Sequence, residues 1–192
     1  MIKWQRLSIP SVLADKWEEY GNRYAENKAQ NPSHIFQWPT VFGQKLNHIL
    51  LPDLRKQTQA HCSYCDDYPP RIADNTIDHF KPKSFFYKEV CKWENLYFAC
   101  ANCQIAKGEQ FDAYLLRPDA DDFSFLRYFI YNSTDHTIDV NPQASISDQN
   151  RAGITIRIMN LNEDGLKSSR KSVYRKYADD DFIDEIPFRF MF

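Results

Sequence analysis

Apolar residues recur at three- and four-residue steps in the first third of the chain, and this spacing predicts helices. Residues 10–30 carry the pattern, and a second helix is predicted over about residues 40–51. Pro52 is expected to interrupt that second helix or to start a short continuation, because proline suits a first turn but not a helix interior. Residues 31–39, with prolines near both ends, are predicted to form a loop.

Strand-like and helical patterns are mixed in the remainder of the chain. Strands are predicted, in chain order, over residues 76–80, 125–131 and 137–140. A turn at 81–83 should follow the first strand, and a short helix should follow residue 103. Longer helices are predicted over about 145–160 and 164–178. The chain is therefore expected to have an α+β fold.

The C-terminal segment changes character abruptly. Asp179–Glu185 carries five negative charges, whereas Ile186–Phe192 is strongly apolar. Such a segment can serve as a docking peptide for a partner. It can also fold back onto the core of its own chain, which we consider the better interpretation.

Composition excludes several classes of protein. The chain has 192 residues, of which 43% are apolar and 15% aromatic, so a disordered or low-complexity protein is excluded. Lys and Arg (24) nearly balance Asp and Glu (26), so net charge points to no partner. No apolar run approaches the roughly 20 residues of a membrane-spanning helix, and the first residues lack an apolar signal region. We therefore expect no membrane association and a cytoplasmic location.

Cysteine spacing gives the strongest chemical signal. Four of the five cysteines form two C-x-x-C pairs, Cys62/Cys65 and Cys100/Cys103. Two such turns can complete a tetrahedral four-thiolate zinc site, which would be structural because no coordination position stays open. The alternatives are two unrelated pairs or a redox-active pair. Cys91 is left over and is expected to be a small buried apolar residue.

An acid and a histidine stand side by side between the two pairs. The imidazole of His79 can take a proton from water near neutral pH, and the carboxylate of Asp78 can hold a hard cation. Neighbouring strand residues point to opposite faces, so we expect a bend or bulge to bring both side chains to one site. An Asp-His pair in isolation is usually an ordinary surface or hydrogen-bonded pair.

In this context the sequence resembles the HNH endonucleases, whose ββα-metal core is often bracketed by two zinc-binding C-x-x-C pairs. The resemblance is carried by the cysteine pairs, by Asp78-His79, by Asn95 and by Lys107-Gly108. The segments IDHFKPKS, WENLYFAC, CQIAKG and LNEDGLKSSRKS are most similar to the PtuB-like HNH subunit of Septu-type and retron-associated anti-phage systems.

The resemblance implies a role for each matching residue. His79 would be the general base that activates water, and Asp78 would be a ligand of one catalytic Mg²⁺ or Mn²⁺. Asn95 would brace the loop that carries the histidine. Gln104 stands where an asparagine or histidine commonly supplies the second metal ligand, so it departs from the family pattern. Its amide oxygen can still bind a cation, although one methylene further out.

Nucleic acid would have to bind to local basic patches, because the net charge is close to zero. Lys107 is a candidate phosphate contact, as are basic residues of the loop after His79 and of the predicted helix 164–178. The candidates in these two segments are Lys81, Lys83, Lys167, Arg170 and Lys171. A solvated charged surface is the alternative for both. DNA is the expected substrate, ahead of RNA.

These observations predict three segments. Residues 1–59 would form an N-terminal helical arm, 60–115 a zinc-stapled HNH core, and 116–192 a C-terminal helical region with a small β-hairpin. The expected activity is DNA hydrolysis. The resemblance further implies an ATPase partner of the ABC or SMC-like class, with a reverse transcriptase and its noncoding RNA in retron forms. The alternatives are a zinc-folded adaptor without catalysis and an RNA-cleaving toxin that uses the same site.

Overall fold

The computed structural model describes residues 1–68, 75–177 and 186–192. Seven α-helices and three two-stranded antiparallel sheets occur in this part of the chain, so the predicted α+β class is confirmed. The helices are α1 (Ser11–Ala14), α2 (Trp17–Gln30), α3 (Leu46–Gln57), α4 (Ala101–Lys107), α5 (Phe125–Tyr128), α6 (Ile146–Ile158) and α7 (Asp164–Tyr177). The strands are β1 (Thr40–Val41), β2 (Gln44–Lys45), β3 (Asn75–His79), β4 (Leu96–Cys100), β5 (Phe129–Asn132) and β6 (Thr137–Val140).

The N-terminal helices differ from their predicted bounds. The helix predicted over 10–30 is divided into α1 and α2. The helix predicted from residue 40 begins only at Leu46, because Phe42 and Gly43 both have positive φ (49° and 78°) and close a β-hairpin. Pro52 lies inside α3, which continues to Gln57.

Later elements follow the sequence pattern more closely. The strands predicted at 76–80 and 137–140 correspond to β3 and β6, and the two long C-terminal helices correspond to α6 and α7. The strand predicted over 125–131 is wrong in its first half, where the chain forms the short helix α5 before entering β5.

Strand β4 lies between two buried clusters. Its alternate side chains Leu96 and Phe98 join one cluster, whereas Tyr97 and Ala99 join the other. The first cluster contains apolar residues of α1, α2 and α3. The second contains the cysteine pairs and most of the buried apolar residues from Leu115 onward. Met1 lies in that second cluster, so the segment predicted as an N-terminal arm contacts both sides of β4.

Helix α2 contacts the loop after β3 at a glycine. A Cβ at Gly21 would lie 2.1 Å from the backbone oxygen of Lys88, which belongs to the 3₁₀ turn Tyr87–Glu89. Only hydrogen fits at this position, which explains a glycine in the middle of a helix.

Gly21→Ala is therefore expected to destabilise the protein by about 1–3 kcal/mol, because α2 or the loop must shift. Urea unfolding would measure the change. Gly153→Ala in α6 is the matched control, since nothing lies within 4 Å of the Cβ built there. That substitution should be neutral or stabilise by up to about 1 kcal/mol, and equal losses in both variants would contradict the close contact.

The apolar C-terminal segment folds back onto the core, as predicted from its apolar residues. Phe188 is buried, its backbone N–H donates to the carbonyl oxygen of Asp66, and the Ile186 carbonyl lies 2.9 Å from Nε2 of His61. Arg189 forms a buried ion pair with Asp66 at 2.6 Å and also donates to Gln59. The acidic stretch 179–185 lies outside the described residues.

Arg189→Met is expected to destabilise the protein by about 3–5 kcal/mol, because the Asp66 carboxylate would stay buried without its partner. The Arg23–Glu19 pair has the same 2.6 Å separation, but its side chains are 63% and 46% exposed. Arg23→Met should therefore cost less than about 1 kcal/mol in the same urea titration. Similar costs for the two arginines would show that the C-terminal segment is not held by this pair.

Candidate metal centre and acid-base cleft

The four cysteines of the two C-x-x-C pairs converge in one buried cluster. Their sulfur atoms all lie within 4.8 Å of one another, and the Sγ atoms of Cys65 and Cys100 are 3.7 Å apart. A tetrahedral zinc ion with Zn–S bonds of 2.3 Å would place its sulfurs about 3.8 Å apart. The cluster therefore has the donor set and the spacing to hold a metal ion such as zinc.

Local structure explains this convergence. Cys62 and Cys65 lie in the turn after α3, while Cys100 ends β4 and Cys103 lies in the first turn of α4. Backbone N–H groups point at the sulfurs: Cys100 N donates to Cys62 Sγ at 3.4 Å, and Cys103 N donates to Cys100 Sγ at 3.5 Å. Such donors favour thiolates, which are the form that binds metal.

The four thiols affect one another's pKa values because they are so close. Burial disfavours the thiolate of Cys62, yet hydrogen bonds from the other three thiols bring its pKa well below the ordinary value. The same hydrogen bonds raise the pKa values of Cys65 and Cys103. Cys91 lies outside the cluster, and burial raises its pKa to about 12, as expected for an inert core thiol.

Asp78 and His79 both line a cleft of about 300 Å³ at the end of β3, which we call the acid-base cleft. The expected bend or bulge does not occur, since β3 and β4 pair in unbroken register from Asn75↔Cys100 to His79↔Leu96. The two side chains point to opposite faces, and the cleft is reached by both because the strand ends at His79. Lys83 and Gln104 also line this cleft.

The imidazole of His79 is fixed by its surroundings. Its Nε2 lies 2.9 Å from the carbonyl oxygen of Val90, so Nε2 carries the proton and Nδ1 has a lone pair. Trp38 stacks on the ring at a centroid distance of 5.4 Å, and Phe36 contacts it edge-on at 5.7 Å. Burial, followed by the positive charge of Lys83, lowers the pKa of His79 to about 3.

The lowered pKa of His79 should make the folded protein less stable as the pH is lowered. Unfolding restores a pKa near 6.5, so the unfolded state takes up the proton first, and stability present above pH 6.5 is lost as the pH falls toward 3. His79→Asn should lose about 2 kcal/mol less than the wild type between pH 7 and pH 5 in urea unfolding of zinc-loaded protein without added Mg²⁺ or Mn²⁺. Other titrations are common to both proteins, so equal losses would contradict the lowered pKa.

The carboxylate of Asp78 is almost fully buried and has two partners. The Tyr64 hydroxyl donates to Oδ2 at 2.7 Å, and the ammonium of Lys107 lies 3.2 Å from the same oxygen. Burial raises the pKa of Asp78, and Lys107 partly offsets that effect. Lys107 also donates to the His79 carbonyl at 2.6 Å.

Asn95 connects β4 to the loop that follows His79. Its Oδ1 accepts from the Lys81 backbone N–H at 2.7 Å, and its Nδ2 donates to the carbonyl oxygens of Lys81 and Glu89. Gln104 donates from Nε2 to the Ile77 carbonyl at 3.0 Å, which leaves the oxygen of its carboxamide available to a cation.

Two predicted phosphate contacts need correction. Lys107 is only 1% exposed, because α4 turns it inward onto Asp78. Arg170 is fully buried, and its guanidinium donates to the carbonyl oxygens of His136 and Leu161. Neither side chain reaches a surface where nucleic acid can bind.

The other predicted phosphate contacts lie at or near the surface. Lys83 is exposed at the acid-base cleft, whereas Lys81 pairs with Glu89 at 2.9 Å. On α7, Lys171 is exposed, and Lys167 is half-buried and paired with Asp164. Lys83 is thus the basic candidate that directly adjoins Asp78 and His79.

Sequence reasoning missed the aromatic contacts of His79. Phe36 and Trp38 belong to the predicted loop 31–39, although IFQWP is unusually aromatic for a loop exposed to solvent. Tyr64, which holds Asp78, lies inside the first C-x-x-C pair and was likewise not singled out.

Comparison with protein-family models and with curated protein sequences gives no match for this chain. In the described ranges 1–68, 75–177 and 186–192, no helix is both long enough and apolar enough to cross a membrane.

Proposed function

We propose that this chain is a metal-dependent endonuclease of the HNH type that hydrolyses phosphodiester bonds in DNA. The observation that carries the proposal is the cleft at the end of β3, which is lined by both a carboxylate and an imidazole of fixed tautomer. The antiparallel pair β3–β4, the following helix α4 and the cysteine cluster beside them are consistent with a ββα-metal core.

His79 serves as the general base in this proposal. Because Nε2 donates to Val90, Nδ1 is the atom that takes a proton from water. The resulting hydroxide attacks phosphorus as the bond to the 3′-oxygen breaks. The lowered pKa keeps the imidazole neutral across the physiological pH range, and it also makes the ring a weaker proton acceptor than a free histidine. Asn95 is a positioning residue, since it fixes the loop that carries the Val90 carbonyl.

Asp78 and Gln104 would hold the divalent ion. Both line the cleft and both offer oxygen atoms, the donors that Mg²⁺ and Mn²⁺ prefer. Mg²⁺ is commonly bound by one or two carboxylates together with substrate phosphate, and Glu109 adds a second carboxylate to the lining of this cleft. When bound, such an ion polarises the phosphate and stabilises the leaving oxygen.

Lys83 is the best placed residue to contact a phosphate, because it is exposed and lines the same cleft. Further contacts to backbone phosphates would come from Lys81, Lys167 and Lys171. Contacts of this kind neutralise the backbone without reading sequence, so DNA affinity should fall steeply with salt.

The biological setting is proposed from the sequence resemblance. The chain would act as the effector nuclease of an anti-phage complex, together with an ATPase subunit of the ABC or SMC-like class. Retron forms would add a reverse transcriptase and its noncoding RNA. One ion site of this type cuts one strand at a time, so nicking is the expected activity of a single copy.

A second candidate function is that of a zinc-folded adaptor without catalysis. It is favoured by the ammonium of Lys107, which lies 3.2 Å from Asp78 where a cation would otherwise bind. The departure at Gln104 favours it too, since displacing a ligand by about 1 Å can be expensive in catalysis.

Cleavage of supercoiled plasmid by zinc-loaded protein with Mg²⁺ or Mn²⁺ separates the two functions. The nuclease predicts nicked plasmid, with structured RNA offered in parallel to detect an RNA-cleaving activity. No cleavage of either substrate, by the protein alone and with an added ATPase of the proposed class, would overturn the proposal and favour the adaptor.

A further inference from the structure

A second cleft of about 280 Å³ lies between α2, the loop 31–39 and the β1–β2 hairpin. Tyr24, Phe36 and Trp38 supply aromatic walls. Lys45 adds positive charge, whereas the charge of Arg23 is paired with Glu19 at 2.6 Å. Among the described residues that line it, none carries a carboxylate. A nucleobase has two π faces and is joined to an anionic backbone, so this combination of groups suits it.

This aromatic cleft adjoins the acid-base cleft through two side chains. The ring of Trp38 lies at 22° to that of His79, with the centroids 5.4 Å apart, and Trp38 also lines the aromatic cleft. Phe36 contacts the same imidazole nearly perpendicularly. The two clefts are therefore separated by little more than the thickness of these rings.

We propose that the aromatic cleft binds one unpaired nucleobase of the strand whose phosphate lies beside Asp78 and His79. This inference rests on the proposed nuclease function and specifies its substrate as a strand with an unstacked base next to the cut. Stacking on Trp38 supplies affinity without strong sequence preference. Lys45, exposed at the edge of the cleft, would contact the adjoining phosphate.

Phe42 gives a separate reason to expect unstacking. It forms the tip of the β1–β2 hairpin and is 91% exposed. Its φ of 49° belongs to the two-residue turn that closes the hairpin and holds the side chain away from the strands. Thr40 and Lys45 of the same hairpin line the aromatic cleft. Apolar side chains that enter between bases unstack them, and Phe42 is an exposed apolar side chain on the hairpin that borders this cleft.

Binding of a short single-stranded DNA tests the cleft without relying on cleavage. The probe is a fluorescein-labelled strand, with Ca²⁺ replacing Mg²⁺, compared with a series in which one base at a time is abasic. Wild-type protein should bind one member of the series about tenfold more weakly than the intact strand. Trp38→Leu should bind the intact strand and that member equally.

Control variants separate base recognition from general effects. Tyr114→Ala removes an aromatic side chain that is 53% exposed and lines neither cleft, so it should keep the tenfold discrimination. Lys45→Ala should weaken intact and abasic strands alike. If circular dichroism shows that Trp38→Leu is unfolded, Phe36→Leu takes its place, with the same loss expected. An RNA strand of the same sequence shows which nucleic acid supplies the base.

Equal binding of the wild type to the intact strand and to every abasic strand would overturn the inference. Discrimination that survives in Trp38→Leu would do the same. Cleavage of plasmid without base discrimination removes this inference and leaves the nuclease standing. Base discrimination without any cleavage supports the cleft as a binding site while the nuclease fails. Binding to no strand at all overturns the cleft assignment.

Discussion

Cys103→Ser is expected to abolish zinc binding and to unfold the centre of the protein. Structural zinc contributes about 10–16 kcal/mol to the folding of small zinc domains, which is comparable to the whole stability of a typical domain. Here the cluster joins the turn after α3 to β4 and α4, and its four sulfurs are buried. Without metal, four polar sulfur groups would be left packed together in the core without the ion that joins them.

The measurement is zinc content by mass spectrometry, together with near-ultraviolet circular dichroism during titration with a chelator. Cys91→Ala is the matched control, because Cys91 is buried but lies outside the cluster. That variant should keep its zinc and its dichroism. A Cys103→Ser protein that stays folded and cooperative without metal would show that the cluster does not stabilise the fold.

His79→Ala is expected to lower the rate of plasmid nicking by about 10²–10⁴-fold, the usual contribution of a positioned general base. The loss should appear in the cleavage step rather than in DNA affinity, since His79 is buried and Lys83 is the cation exposed at the cleft. Added imidazole should restore part of the rate, because loss of the His79 ring leaves space between Trp38 and the Val90 carbonyl.

Zinc content and DNA affinity of His79→Ala serve as controls, and both should match those of the wild type. Lys83→Ala should give the opposite pattern, with weaker binding and a smaller change in the cleavage step. A His79→Ala protein that nicks plasmid at the wild-type rate would remove the histidine from the mechanism.

Local chemistry was predictable from the sequence where neighbouring residues determine it. The two C-x-x-C pairs predicted a four-sulfur cluster, because each turn fixes two thiols and metal binding needs four. Strand β3, which ends at His79, and the helices α6 and α7 were predictable from short-range periodicity. The C-terminal Phe188 was expected in a core because apolar segments of this kind seldom stay in water.

Long-range contacts were not predictable, because sequence spacing does not say which face of an element meets the core. Arg170 was assigned to a surface, yet it lies one helical turn after Leu166 on the buried face of α7. Lys107 follows Cys103 by one turn and is likewise turned inward. Trp38 contacts His79 across many residues, and nothing in a loop pattern indicates that pairing.

Anomalous diffraction from crystals of zinc-loaded protein soaked in Mn²⁺ would locate both ions directly. We predict a zinc peak among the sulfurs of Cys62, Cys65, Cys100 and Cys103. A manganese peak should lie beside the Asp78 carboxylate in the cleft shared with His79, with the Lys107 ammonium displaced from that carboxylate. Zinc without manganese, with Lys107 still paired to Asp78, would contradict the metal-dependent nuclease.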